Sequence, residues 1–189
     1  MMNTGVWRTG FAIMMVAMIA LLILKYREVV HAKEVEPRLA PEFNQTEPEA
    51  WLNSSPLTLA GLRGKVVFID FWAFGCWNCY RSFPWMNDLE ERLAGQPFQV
   101  IGVHSPEFEH EKDRARIEEK IAEFDLKHPT MMDNDFHYWK SMHNRYWPTY
   151  YLIDKRGYIR HVFIGETHKG TRRAQLIESA IAELLAEPA

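Results

Sequence analysis

Cysteine is nearly absent from this 189-residue chain: it has two, Cys76 and Cys79, so a framework of several structural disulfides is impossible. A structural zinc site would need two further Cys or His ligands at suitable spacing; no second cysteine pair exists, and the eight histidines are scattered. A basic excess is missing too. Lysine and arginine number 22 against 25 aspartates and glutamates, a net charge of −3, which argues against the phosphate-neutralising surface of a nucleic-acid binder. Internal repeats and low-complexity tracts are not found. What is present is a hydrophobic content of 47%, with 13% aromatics, enough to build the packed core of one domain of ordinary size.

Residues 11–24 (FAIMMVAMIALLIL) form an uncharged apolar run between Arg8 and the Lys25-Tyr26-Arg27 cluster. At ~1.5 Å per residue the run spans about 21 Å against a ~30 Å hydrocarbon core, and Thr9, Gly10 and snorkelling Arg8 and Lys25 lengthen it. Cleavage after Ala32 fits the small residues Val30 and Ala32, whereas Lys25, Arg27 and Glu28 are unusual in a cleavage region. A single-pass anchor and a removed signal therefore both stay open, and either leaves the remainder extracytoplasmic, where a redox-active cysteine pair meets oxidised partners. The expected organisation is a signal-anchor over 1–32, a Pro- and Glu-rich solvated linker over 33–50, and a globular domain over 51–189.

Within that domain, residues 65–72 (KVVFIDFW) predict a strand buried on both faces. Phe83, Met86, Leu89 and Leu93 recur at helical spacing over 76–93 and stop at Gly95. A second buried strand is expected at 98–103 and a second helix after the N-cap Asp113, marked by Ile117, Ile121 and Phe124. A short strand at 129–132 and a short helix at 136–142 follow. The runs 149–153 and 158–164 are separated only by Asp154-Lys155-Arg156-Gly157, too short for a crossover helix, so they predict an antiparallel hairpin. A last helix over 170–186 is expected to bury Leu176, Ile177, Ala180, Ile181, Leu184 and Leu185. The sum is an α/β fold, a mixed central sheet with helices on both faces.

Cys76-Trp77-Asn78-Cys79 falls directly after the first of these strands and at the start of its helix. Free backbone N–H groups and the positive end of the helix dipole stabilise a thiolate there, which makes Cys76 the candidate nucleophile. Cys79 sits one turn later, placed to resolve the mixed disulfide that Cys76 forms with a substrate. A purely structural disulfide closing so small a loop would constrain little of the unfolded chain.

These residues resemble the thioredoxin superfamily, and within it the membrane-anchored extracytoplasmic branch that includes TlpA, ResA and the DipZ-type domain. The resemblance covers about 51–186. It rests on Asp70-Phe71-Trp72-Ala73 before the cysteines, on Pro84, and on Trp147-Pro148-Thr149 opening a later strand. Ile101-Gly102-Val103-His104-Ser105-Pro106-Glu107-Phe108, with Leu152-Ile153-Asp154 and Gly157, is most similar to the DipZ-type domains. It implies that Pro148 is a cis-proline beside the disulfide that offers backbone to an extended substrate. It also implies that Asp70 is a buried carboxylate behind Cys79, with a raised pKa, able to accept its proton. Trp77 and Trp147 flank the cysteines as a docking surface or as packing, Pro84 kinks the helix, and His104 and Glu107 lie near the strand ends without an assigned role.

The resemblance implies a thiol-disulfide oxidoreductase needing no cofactor, which reduces disulfides of exported proteins and is recharged by a membrane thiol donor, with apocytochrome c maturation as one setting. The pair between the cysteines, Trp77-Asn78, lacks the histidine of strongly oxidising relatives, which favours a reductant. An oxidase or isomerase would use the same cysteines, because direction depends on reduction potential. A thiol peroxidase would show Thr where Ala73 stands, and a copper-binding module of the Sco type would space its cysteines one residue further apart.

Overall fold

β-branched and aromatic residues with no polar face to show solvent make a central strand, and Val66–Trp72 is buried at every position. The computed structural model describes residues 34–188 together with Met15 and Met18. The chain divides into two compact units, residues 1–32 and 33–189. Of the expected anchor only Met15 and Met18 are described, both helical and exposed; the rest lies outside the described residues. Among the described residues no helix is long and apolar enough to cross a membrane.

The larger unit is built on β1 (Glu34–Leu39), β2 (Trp51–Leu52), β3 (Val66–Trp72), β4 (Phe98–His104), β5 (Thr130–Met132), β6 (Thr149–Ile153) and β7 (Tyr158–Ile164). They form one seven-stranded sheet in the order β1-β7-β6-β3-β4-β5-β2. β3, β4 and β5 run parallel, while β6 lies antiparallel to β3 and β7 antiparallel to β6. The expected hairpin is therefore present. Asp154 shapes its turn by accepting from the N–H groups of Arg156 (3.0 Å) and Tyr158 (2.9 Å), and Gly157 supplies φ +88°.

Helices α1 (Trp77–Arg92), α2 (Arg114–Glu123), α3 (His137–Ser141) and α4 (Arg172–Ala186) cover the sheet. Side-chain alternation sorts the core into two layers. Val67, Ile69 and Phe71 of β3 pack with Trp51, Met131, Tyr138 and Met142, the last two from α3 and its C-cap. Their neighbours Trp72, Leu52 and Met132 pack instead with Cys79 and Phe83 of α1 and with Ile117 and Ile121 of α2. Pro84 lies inside α1 on its exposed side, and Asp113 caps α2 through the Ala115 N–H.

Two expectations are corrected. Residues 33–50 are not a solvated linker: β1 pairs with β7, and Ala40 and Phe43 are buried in the core. Phe43 meets Trp51 edge-on at 5.4 Å, and Glu42 caps the turn at 60–62 through the N–H groups of Leu59 and Ala60. Proline and glutamate concealed this because β1 is an edge strand, where Pro37 costs no ladder bond, and its apolar residues follow no period. In α4, Leu176 is 37% exposed and Ala174 is buried in its stead, so the buried stripe is rotated from the one expected.

Candidate active site

The chain leaves β3 at Trp72, turns through Ala73-Phe74-Gly75, and enters α1 at Cys76, whose extended backbone (φ −81°, ψ 99°) is that of an N-cap. Cys76 Sγ accepts from the Cys79 N–H at 3.2 Å, doing with sulfur what a capping oxygen does. The two cysteines are joined as a disulfide with their Cα atoms 5.3 Å apart. Their environments differ: Cys76 keeps 7% exposure and Cys79 none. A partner thiol or disulfide can reach only Cys76, and a thiolate there faces the unpaired N–H groups of the helix start.

The loop before Cys76 is braced from below. His104, fully buried at the end of β4, accepts from the Phe74 N–H through Nε2 at 3.3 Å and stacks on the Phe74 ring. Burial pushes its pKa down to about 3, so it serves as a neutral acceptor. Glu111, also buried, accepts from the Glu107 N–H at 2.8 Å and lies against Gly75, where a Cβ would run into its carboxylate. Burial raises the Glu111 pKa, and the Glu107 N–H opposes the rise. Arg116 places its guanidinium 5.1 Å from the centre of the Phe74 ring. His104 therefore belongs to the frame of the site, whereas the Glu107 side chain is exposed and contributes through its backbone.

The register Phe71↔Thr149 brings Trp147 and Pro148 to the end of β3 from which the cysteine loop departs. The Trp147–Pro148 peptide bond is cis, and the Pro148 carbonyl accepts from the Gly165 N–H at 2.8 Å. Trp147 is half-buried against the layer that holds the cysteines; its Nε1 donates to the Ser105 carbonyl at 3.0 Å and its ring lies 4.3 Å from Trp139. Trp77 behaves differently, being 67% exposed, with the ring of Tyr80 set edge-on to it at 6.3 Å. Phe108 and Tyr146 are exposed as well.

Asp70 lies on the α1-facing side of β3, between Phe68, which meets Trp85 of α1, and Trp72, which meets Phe83 of α1. Desolvation by burial raises its pKa to about 7; His128 lowers it and Glu90 raises it by charge. At neutral pH such a carboxyl can both take and release a proton. Sequence reasoning missed Glu111, His128 and Glu90. Glu111 sits in the run Glu109-His110-Glu111-Lys112, which reads as solvated charge, and no periodicity marks His128.

Against known proteins, the family model described as Redoxin matches residues 35–179. Protein DipZ of Mycobacterium bovis is 41% identical over 119 residues, 61% of this chain and 17% of DipZ, so the chain spans about a sixth of that relative's length. Thiol-disulfide oxidoreductase YkuV of Bacillus subtilis is 30% identical over 142 residues, 75% of this chain and 92% of YkuV. The crystal structure of a thioredoxin-like superfamily protein matches with a TM-score of 0.71 at 27% identity, covering 80% of this chain and 98% of the other.

Proposed function

The chain belongs to the Redoxin family, in the TlpA/ResA-like branch of thioredoxin-like oxidoreductases, and from that premise we propose that it reduces disulfides of exported proteins on the outer side of a membrane. The observation that carries the reading is the asymmetry of the Cys76–Cys79 disulfide, reachable Cys76 capping a helix and Cys79 fully buried. The Cys76 thiolate attacks the substrate disulfide and forms a mixed disulfide, expelling one substrate thiolate. Cys79 gives its proton to Asp70 and attacks Cys76 sulfur, which releases the second substrate thiolate and leaves the Cys76–Cys79 disulfide. Two electrons have passed to the substrate, and a membrane thiol donor restores the dithiol.

Cis-Pro148 presents backbone to an extended substrate segment, and Trp77 and Trp147 flank it with apolar surface. The absence of histidine between the cysteines supports the reducing direction, and the uncharged apolar run over 11–24 near the N-terminus supports an anchor or export signal that leaves the domain outside. Apocytochrome c is one fitting substrate.

The test is the reduction potential of the Cys76–Cys79 couple, equilibrated against glutathione or dithiothreitol buffers. A value near thioredoxin's ~−270 mV is expected; one near DsbA's ~−120 mV would make the protein an oxidase. Labelling of reduced Cys76 in intact cells by a membrane-impermeant maleimide checks the location, and protection until lysis would place the domain inside.

A further inference from the structure

Polar atoms left without partners in a core are costly and rare, so those grouped beside a reactive centre call for an explanation. Beneath α1 such atoms gather in one place: Asp70 Oδ1, Trp72 Nε1 and His128 Nε2 are all buried and unpartnered. The register Asp70↔Gly102 sets a glycine beside Asp70 on the neighbouring strand. A Cβ on Gly102 would lie 3.2 Å from His128 Cδ2, 3.1 Å from Trp72 Nε1 and 2.7 Å from Thr130 Oγ1. The missing side chain lets Thr130, Trp72 and the edge of the His128 ring carrying Nε2 close over Gly102, a polar notch beside Asp70. The opposite ring nitrogen, Nδ1, is 2.7 Å from Glu90 Oε2, and the His128 side chain is fully buried while that of Glu90 keeps 23% exposure.

Asp70, His128 and Glu90 thus follow one another from the buried carboxyl to the surface. A proton on Nδ1 donates to the Glu90 carboxylate and leaves Nε2 turned inward to accept another. Asn53 fixes the segment from behind, its side-chain amide donating to the carbonyls of Leu126 (2.9 Å) and His128 (3.1 Å).

We propose that His128 and Glu90 are the exit route for the proton that Asp70 takes from Cys79. The inference rests on the reading of Asp70 given above and extends it. When Cys79 closes the disulfide, its proton moves to Asp70, crosses the Gly102 notch to His128 Nε2, and the Nδ1 proton passes to Glu90 and then to water. No electron is involved; Glu90 ends as it began, and His128, left with its proton on Nε2, is reset when reduction of the disulfide draws a proton inward along the same path to Cys79. Both act through Asp70 and are positioning residues, not catalytic ones. The groups whose charge acts on this path are Glu90 from α1, His128 from the segment before β5 and Tyr150 from β6. A raised Asp70 pKa suits the task, because an acid titrating near neutrality gives up its proton between turnovers.

The test follows one turnover of the reduced full chain with an aromatic disulfide whose expelled thiolates stay ionised at neutral pH, reading disulfide closure by tryptophan fluorescence and proton release by a pH-indicator dye. In the parent, release keeps pace with closure. Glu90→Gln and His128→Gln are each expected to delay proton release about tenfold and to flatten the pH dependence of closure near neutrality. A role in packing alone would lower the melting temperature and leave both traces unchanged. Should His128→Gln fail to fold, Glu90→Gln carries the test, being isosteric and partly exposed. Asp70→Asn separates the two readings. If it slows closure while both relay variants match the parent within about twofold, the exit route is wrong and Asp70 stands as base. If Asp70→Asn also matches the parent, the assignment of Asp70 has failed.

Discussion

The two faces of β3 carry different kinds of core. On one, Val67, Ile69 and Phe71 meet a layer of apolar and aromatic side chains whose hydroxyls find carbonyls, Tyr138 donating to Pro41 and Tyr151 to Met142 at 3.3 and 3.1 Å. On the other, Phe68, Asp70 and Trp72 share the space under α1 with His128, and polar atoms there go without partners. Both faces are buried and only one is satisfied. Stability is concentrated where every group is matched, and reactivity where a carboxyl is held away from its preferred state.

That contrast can be broken most severely at the sulfurs. Cys79→Ser is expected to abolish turnover and trap the mixed disulfide on Cys76, seen as an added substrate mass by mass spectrometry, with little change on the opposite face. Next in size, Phe71→Ala on the matched face should cost about 3–5 kcal/mol in denaturant unfolding while leaving the reduction potential near that of the parent. A shift in potential as large as that of an active-site variant would mean the faces are not separable.

Asp70→Asn works in the reverse sense. The folded protein holds Asp70 at about 7 against an ordinary 3.8, so its contribution to stability is fully present below pH 3.8 and is lost as the pH rises through 7. Removing the charge should therefore raise the unfolding free energy of the oxidised protein by a few kcal/mol at pH 8, with the gap closing toward pH 4. A gap independent of pH would contradict the buried ionisation. Smaller again, Gly75→Ala pushes into the Glu111 carboxylate and should cost about 1–3 kcal/mol while disturbing the Cys76 loop, read as slower alkylation of the reduced thiol. Trp77→Ala is the mildest: at an exposed position its effect on stability should stay within about 0.5 kcal/mol, and its effect should fall on the KM for protein disulfides rather than for glutathione.

Much of this was legible in the amino-acid order. β3, α1, β4, α2 and the β6–β7 hairpin follow from runs whose period or turn residues have one good solution, and the placement of Cys76 and Cys79 at a strand-to-helix junction follows from their neighbours. β1 was hidden because an edge strand holding Pro37 lacks the alternation of a half-buried strand, and the shift of the α4 stripe from Leu176 to Ala174 depends on what α4 packs against. Glu111 and His128 were hidden for a further reason. A charged or polar residue is normally solvated, and only the arrival of Gly75 against one and Gly102 against the other makes each a buried part of the site.

Local placement, then, was determined by sequence alone: which sulfurs pair, which strand and helix present them, and which carboxyl and proline accompany them are matters of neighbours along the chain. Tertiary structure decided the surroundings. That Cys79 is sealed and Cys76 reachable, that His104 is neutral, and that the charges of His128 and Glu90 act on buried Asp70 all depend on segments brought together from distant parts of the chain, because burial and charge act through space.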